Sequence, residues 1–200
     1  MCDHNRVKFA APRVRYEFDM LRWTFQELLE ASEEGCFPTV EDTFSDGKEG
    51  HLVIGSATSS GRGDPILNAV LECFLLHARV LRDFLDKRDN SRHRVDDILA
   101  SDFLDQPFDF DSPNPLEFLR REPIKPRLDK ALAHLSYQRI EYERDKLWDI
   151  ERIFVSLNAG WVHFITMLPE DRRGWFSTEF DDCAFDNLRN WLSQRLDAGR

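Results

Sequence analysis

From Pro65 to Arg88 the chain contains no further proline and no glycine, and this run constrains the fold more than any other. Proline suits the first turn of a helix, where its missing N–H would have no partner anyway, so Pro65 reads as a helix start. The residues that follow are apolar on most sides, with Asn68, Glu72, Arg79 and Asp83 forming one polar stripe. A helix with so much apolar surface must be covered by others, because isolated helices are marginal in water. A bundle follows, with this helix at its centre. Arg79 and Asp83 are four residues apart and can pair, as can Glu72 and Arg79 across two turns. The stripe therefore reads as a salt-bridged seam between helices, with a polar site as the alternative. His77 shares a face with Val70, Cys73, Leu81 and Phe84, which predicts a buried, hydrogen-bonded imidazole.

The flanking segments supply the partners. Between Ala11 and Glu34 the residues Val14, Phe18, Leu21, Phe25, Leu28 and Leu29 recur at spacings that put them on one face of a helix, with Met20 and Trp23 broadening the buried stripe. Six of the nine glycines fall between Gly35 and Asp64, so residues 36–64 read as a mobile loop with His51 to Ile54 as its possible strand, and residues 38–63 as dispensable for folding. Gly55 to Gly63 has a superficial likeness to a phosphate-cradling loop, but the spacing, Arg62 in place of lysine and Gly63 in place of serine or threonine argue against it. Residues 89–125 read as an irregular linker with short helices near 96–103 and 116–121, ended by Pro123 and Pro126.

Further helices are predicted over 127–144, carried by Leu128, Ala131, Leu132 and Leu135, over 148–168 before Pro169, and over 181–196, carried by Phe185, Leu188, Trp191, Leu192 and Leu196. Gly160 would let another helix approach closely. The expected fold is all-α, one domain over residues 1–200, an antiparallel bundle of four to five long helices with short linker helices and a glycine-rich loop.

Composition limits what such a bundle can do. No apolar run is long enough to cross a bilayer, the N-terminus has no basic-then-apolar signal pattern, and Cys2, Cys36, Cys73 and Cys183 form no CxxC pair. These features predict a cytoplasmic protein with reduced thiols and no cysteine-rich zinc site. A formal charge of −10 disfavours a free-standing, sequence-independent nucleic-acid binder, since such binding needs basic side chains to displace counterions. RNA would need a local basic patch or a partner that delivers it.

One stretch offers such a patch. In the run from Pro126 to Tyr137, Arg127 and His134 are seven residues apart and Lys130 lies between them, so a helix presents all three on nearly one side. Two cations beside an imidazole that titrates near neutrality could hold a phosphate and move a proton at it.

Lys130-Ala-Leu-Ala-His134-Leu-Ser-Tyr137, preceded by Arg127, resembles the helix of HEPN-like proteins, in which an arginine, four to six residues and a histidine mark the site, often with a nearby tyrosine. The resemblance extends roughly over residues 65–168. It implies a metal-independent endoribonuclease or a toxin or defence component acting on RNA, without cofactor, as a homodimer, with a protein partner or antitoxin. Arg127 and His134 would be its catalytic pair, and Lys130 and Tyr137 would bind substrate. A second arginine-to-histidine pair, Arg88 and His93, falls in the turn after the central helix. Two other readings stand beside this one. A non-catalytic interaction or structural bundle would use His134 as a bonded core histidine, and a metalloprotein resembling the DinB-like group would bind zinc or nickel through His77, His134 and His163.

Overall fold

Among the described residues, three long helices carry the core. The computed structural model describes residues 4–33, 53–55, 65–86, 97–110, 114–121, 124–130, 147–177, 188, 190 and 193. Helix α1 spans His4–Glu33, α2 Pro65–Asp86 and α5 Ile150–Met167; between the last two lie a 3₁₀ turn at Ala100–Phe103 and the short helices α3 (Glu117–Arg120) and α4 (Ile124–Lys130). A last short helix, α6, spans Glu170–Arg173 and runs into a 3₁₀ turn at Gly174–Phe176. Apart from one two-stranded ribbon, the described chain is all-α.

Aromatic pairs set the directions of the long helices. Phe18 stacks on Trp161 with ring centroids 4.4 Å apart, and Phe25 stacks on Phe154 at 4.2 Å. Both partners are seven residues apart, ascending on α1 and descending on α5, so these helices run antiparallel. Phe25 also meets Phe74 of α2 at 6.0 Å, while Phe84 meets Phe164 edge-on at 5.1 Å. Helices α2 and α5 therefore run in the same direction. Each aromatic pair adds roughly 0.5–1.5 kcal/mol beyond the area it buries. Phe103 and Phe176, both buried, close the end of the core against Phe164.

Gly160 sits at a close helix contact. A Cβ there would lie 3.1 Å from Leu85 Cδ1 and 3.2 Å from Leu116 Cδ2, so the close approach expected at this glycine is made by α2 and by the residue that opens α3.

The two strands, β1 (Val53–Gly55) and β2 (Leu147–Asp149), pair antiparallel with Ile54 opposite Trp148. Trp148 thus lies in a strand rather than in the helix expected from 148 onward. The physical reason is the next residue: the Asp149 carboxylate accepts the backbone N–H of Arg152 at 2.9 Å, an N-cap that starts α5 at Ile150. Part of the glycine-rich segment is likewise hydrogen-bonded as β1, and its other residues lie outside those described.

Other boundaries also differ from expectation. Helix α1 begins at His4 and continues through Pro12, a place where only one backbone hydrogen bond is lost. Trp23 does not broaden the buried stripe but is 49% exposed, because Phe9, Tyr16 and Trp23 follow one another at sevens on the side of α1 away from the core. The helix expected from Arg127 begins at Ile124, and its course beyond Lys130 lies outside the described residues. Of the segment 181–196 only Leu188, Asn190 and Ser193 are described; they are helical and Leu188 is buried.

Gly160→Val should lower the unfolding free energy by about 1–3 kcal/mol in urea titrations, since the added methyls overpack the contact with Leu85 and Leu116. Gly160→Ala should cost less, because alanine regains about 1 kcal/mol of helix propensity. Deleting 38–63 removes the strand that pairs with Leu147–Asp149, and the melting temperature should fall measurably.

Candidate functional site

The stretch from Pro126 to Tyr137 enters the fold through α4. Leu128 is wholly buried and anchors that helix, while Arg127 beside it is only 8% exposed. Its guanidinium carbon lies 4.1 Å from the ring centroid of Trp148, so the cation is stacked on the indole that β2 presents. Lys130 closes α4, and its side chain, like all of His134 and Tyr137, lies outside the described residues. Among the residues expected to form an RNA site, Arg127 is therefore the one whose side-chain setting is described, and that setting is a packed one.

Asp129, two residues on, faces α2. Its carboxylate accepts a hydrogen bond from Arg82 Nη2 at 2.5 Å and lies 3.7 Å from Arg79 Nε. Arg82 also donates to Asp83 from Nε and Nη2, at 3.1 and 2.7 Å, and its buried Nη1 has no hydrogen-bond partner. Burial works against the charge on Arg82, but the hydrogen bonds to Asp129 and Asp83 and the charges of both outweigh it. Its pKa is held above the ordinary arginine value. A group whose pKa is raised stabilises the fold below its unfolded value, and for arginine that covers every pH at which the protein would be handled.

The expected polar seam is thus a bridge between helices with Arg82 at its centre. Arg79 faces Asp129 and Asp83 holds Arg82, while Asn68 is half-buried and Glu72 exposed nearer the start of α2. The sequence reading missed Arg82. Its signal is position: Arg82 falls on the same face as Leu71, Leu75 and Ala78, outside the polar stripe, and a charge on an apolar face needs a partner from another element.

His77 is buried, and its Nδ1 lies 2.7 Å from Glu17 Oε2 of α1, with Tyr16 edge-on to the ring at 6.1 Å. A carboxylate at Nδ1 orients an imidazole as it would a general base, but burial beneath Tyr16 makes this pair a tie between α1 and α2. Beside it a groove of about 340 Å³ opens between the two helices, with Val14, Leu81 and Phe84 as its floor and Arg13, Glu17, Asp83 and Asp97 around it. His163 lies elsewhere, its Nε2 2.8 Å from the Asp109 carbonyl oxygen and its ring tilted against Phe108 and Phe110. Two of the three histidines considered as metal ligands are thus engaged by different elements, and the third, His134, is outside the described residues. Among the described residues no group of three or more histidine, cysteine, aspartate or glutamate side chains is placed to hold a metal ion.

No helix among the described residues is long and apolar enough to cross a membrane. No protein-family model, no curated protein and no solved structure matches the chain.

Arg127→Ala should lower stability by about 0.5–2 kcal/mol through loss of the stack on Trp148, read as a shift in urea midpoint. Arg82→Met should cost about 1–3 kcal/mol. It should not reach the loss expected for a wholly buried pair, because Asp83 and Asp129 are 40% and 34% exposed at their side chains and can rehydrate.

Proposed function

We propose that this chain is a non-catalytic interaction protein, a bundle of four to five long helices in which α1 runs antiparallel to α2 and α5. The observation that carries the reading is the burial of Arg127 on Trp148. An arginine that stabilises a phosphorane must aim its N–H groups at the reacting oxygens from about 2.7–3.1 Å, in a cleft that admits the substrate. Arg127 is only 8% exposed, with its guanidinium on the indole, so the described surroundings leave little room for a substrate. Asp129, Arg82, Arg79, His77 and Glu17 support the same reading, since each joins one helix to another.

A second reading has one observation in its favour: the stack on Trp148 holds the Arg127 guanidinium rigidly, seven residues before His134. On that reading the chain is a HEPN-like endoribonuclease, cytoplasmic and homodimeric, and acts with an antitoxin or an RNA-delivering partner. His134 then takes the proton of a ribose 2′-hydroxyl, Arg127 and Lys130 stabilise the phosphorane, Tyr137 contacts substrate, and cleavage leaves a cyclic phosphate.

RNA incubated with the purified chain in EDTA separates the two, together with over-expression in cells. The interaction reading expects intact RNA and no toxicity, with Arg127→Ala altering only the melting temperature. RNA cleavage or toxicity that falls about a hundredfold or more in His134→Ala, at equal protein levels, would replace it with the nuclease.

A further inference from the structure

We infer that the groove between α1 and α2 is a binding site for a small organic amine, a primary ammonium carried on an apolar stem. The inference goes beyond the reading of the chain as an interaction protein and does not depend on it.

The first observation is the floor. Val14 of α1 and Leu81 and Phe84 of α2 form it, all three buried, and Val80 and Ile98 add apolar, exposed edges. A concave surface with apolar side chains at its bottom favours a ligand that has hydrocarbon to bury, roughly in proportion to the area removed from water. The volume of about 340 Å³ lies at the lower end of the range that ligand pockets occupy, which suits a small molecule.

The second observation is a pair of half-used carboxylates, Glu17 on the α1 wall and Asp83 on the α2 wall. Each commits one oxygen to the fold: Glu17 Oε2 lies 2.7 Å from His77 Nδ1, and Asp83 Oδ1 accepts from Arg82 Nη2 at 2.7 Å. Glu17 Oε1 and Asp83 Oδ2 have no hydrogen bond among the described residues, and the two side chains remain 28% and 40% exposed. A carboxylate offers about four lone-pair sites, so each can accept an ammonium N–H without giving up its present partner. The contacts to His77 and Arg82 also hold both groups in place, which lowers the ordering cost of binding.

The third observation selects the sign of the ligand. Arg79 and Arg82 balance Asp83 and Asp129, and the other charged side chains described around the groove are Glu17, Asp97 and Arg13, two carboxylates against one guanidinium. The excess charge is negative. Between apolar walls it acts through a medium less polar than water, so it attracts a cation and repels an anion. An ammonium, with three donors and no acceptor, matches the open oxygens of Glu17 and Asp83, and its stem matches the floor. A metal ion is a worse fit, because among the described residues no three ligating side chains come together and an ion would leave the apolar floor unused.

Titration of the full chain with butylammonium, hexylammonium and hexanoate, followed by amide NMR shifts, tests this. Hexylammonium should bind with a Kd on the order of 1 mM, and roughly tenfold more tightly than butylammonium, because it buries two further CH₂ groups on the floor. Hexanoate, of the same length and opposite charge, should bind about tenfold or more weakly than hexylammonium. Val80→Trp, at an exposed position on the edge of the groove, should fill it and abolish hexylammonium binding while leaving the thermal melt unchanged; Ile98→Trp serves the same purpose if Val80→Trp does not fold. Hexylammonium that fails to bind would overturn the inference. So would equal binding of butylammonium, which marks a surface cation site, equal binding of hexanoate, which marks a purely apolar one, or binding that survives in a folded tryptophan variant.

Discussion

Everything in this fold depends on the antiparallel stacking of α1 against α5. Phe18 on Trp161 and Phe25 on Phe154 are two face-to-face contacts at one seven-residue interval, and they fix the axial register of the two helices as well as their direction. Sliding either helix by one turn would break both stacks together and set bulky rings against the wrong neighbours, which a close-packed interior tolerates poorly. Helix α2 then has little freedom, because Phe25 also touches Phe74 and because Leu85 must come within reach of Gly160.

The described segments outside the three long helices are tied down by arginines. Arg120 of α3 binds Asp86 at the end of α2, and that hydrogen bond, opposed by partial burial, holds its guanidinium pKa above the usual arginine value. Arg172 of α6 reaches back to the Phe103 carbonyl at 2.8 Å and to Asp105 at 2.6 Å. Arg15 of α1 holds Asp19 and the Phe176 carbonyl. Each arginine links a short segment to another element, and its rigid fork makes the link directional.

The buried cluster around Arg82 belongs to the same logic. Ion pairs inside a protein add little net stability compared with an apolar core, because desolvation offsets most of the attraction. Their effect here is selective: Arg82 can be buried only where Asp83 and Asp129 both reach it, so α4 has one acceptable position against α2. Arg127, on the same short helix, stacks on Trp148.

The sequence by itself determined that the chain is helical and where several helices begin or end. Pro65 opens α2, Leu168 and Pro169 close α5, and the apolar spacing of Val14, Phe18, Leu21, Phe25 and Leu28 matches the buried face of α1. These are local matters, settled by backbone stereochemistry and by the period of one helix. Which side of α2 would be covered was not legible, because α2 is apolar on most sides. Only the tertiary structure decided that, through the shape of the aromatic stacks on α5. It also decided that Trp148 would be a strand residue beneath Arg127, since a three-residue strand exists only by virtue of Val53–Gly55, a partner some ninety residues away. Arg82 was illegible for the same reason: the carboxylate of Asp129 that lets it be buried comes from another helix, and periodicity along α2 contains no record of it.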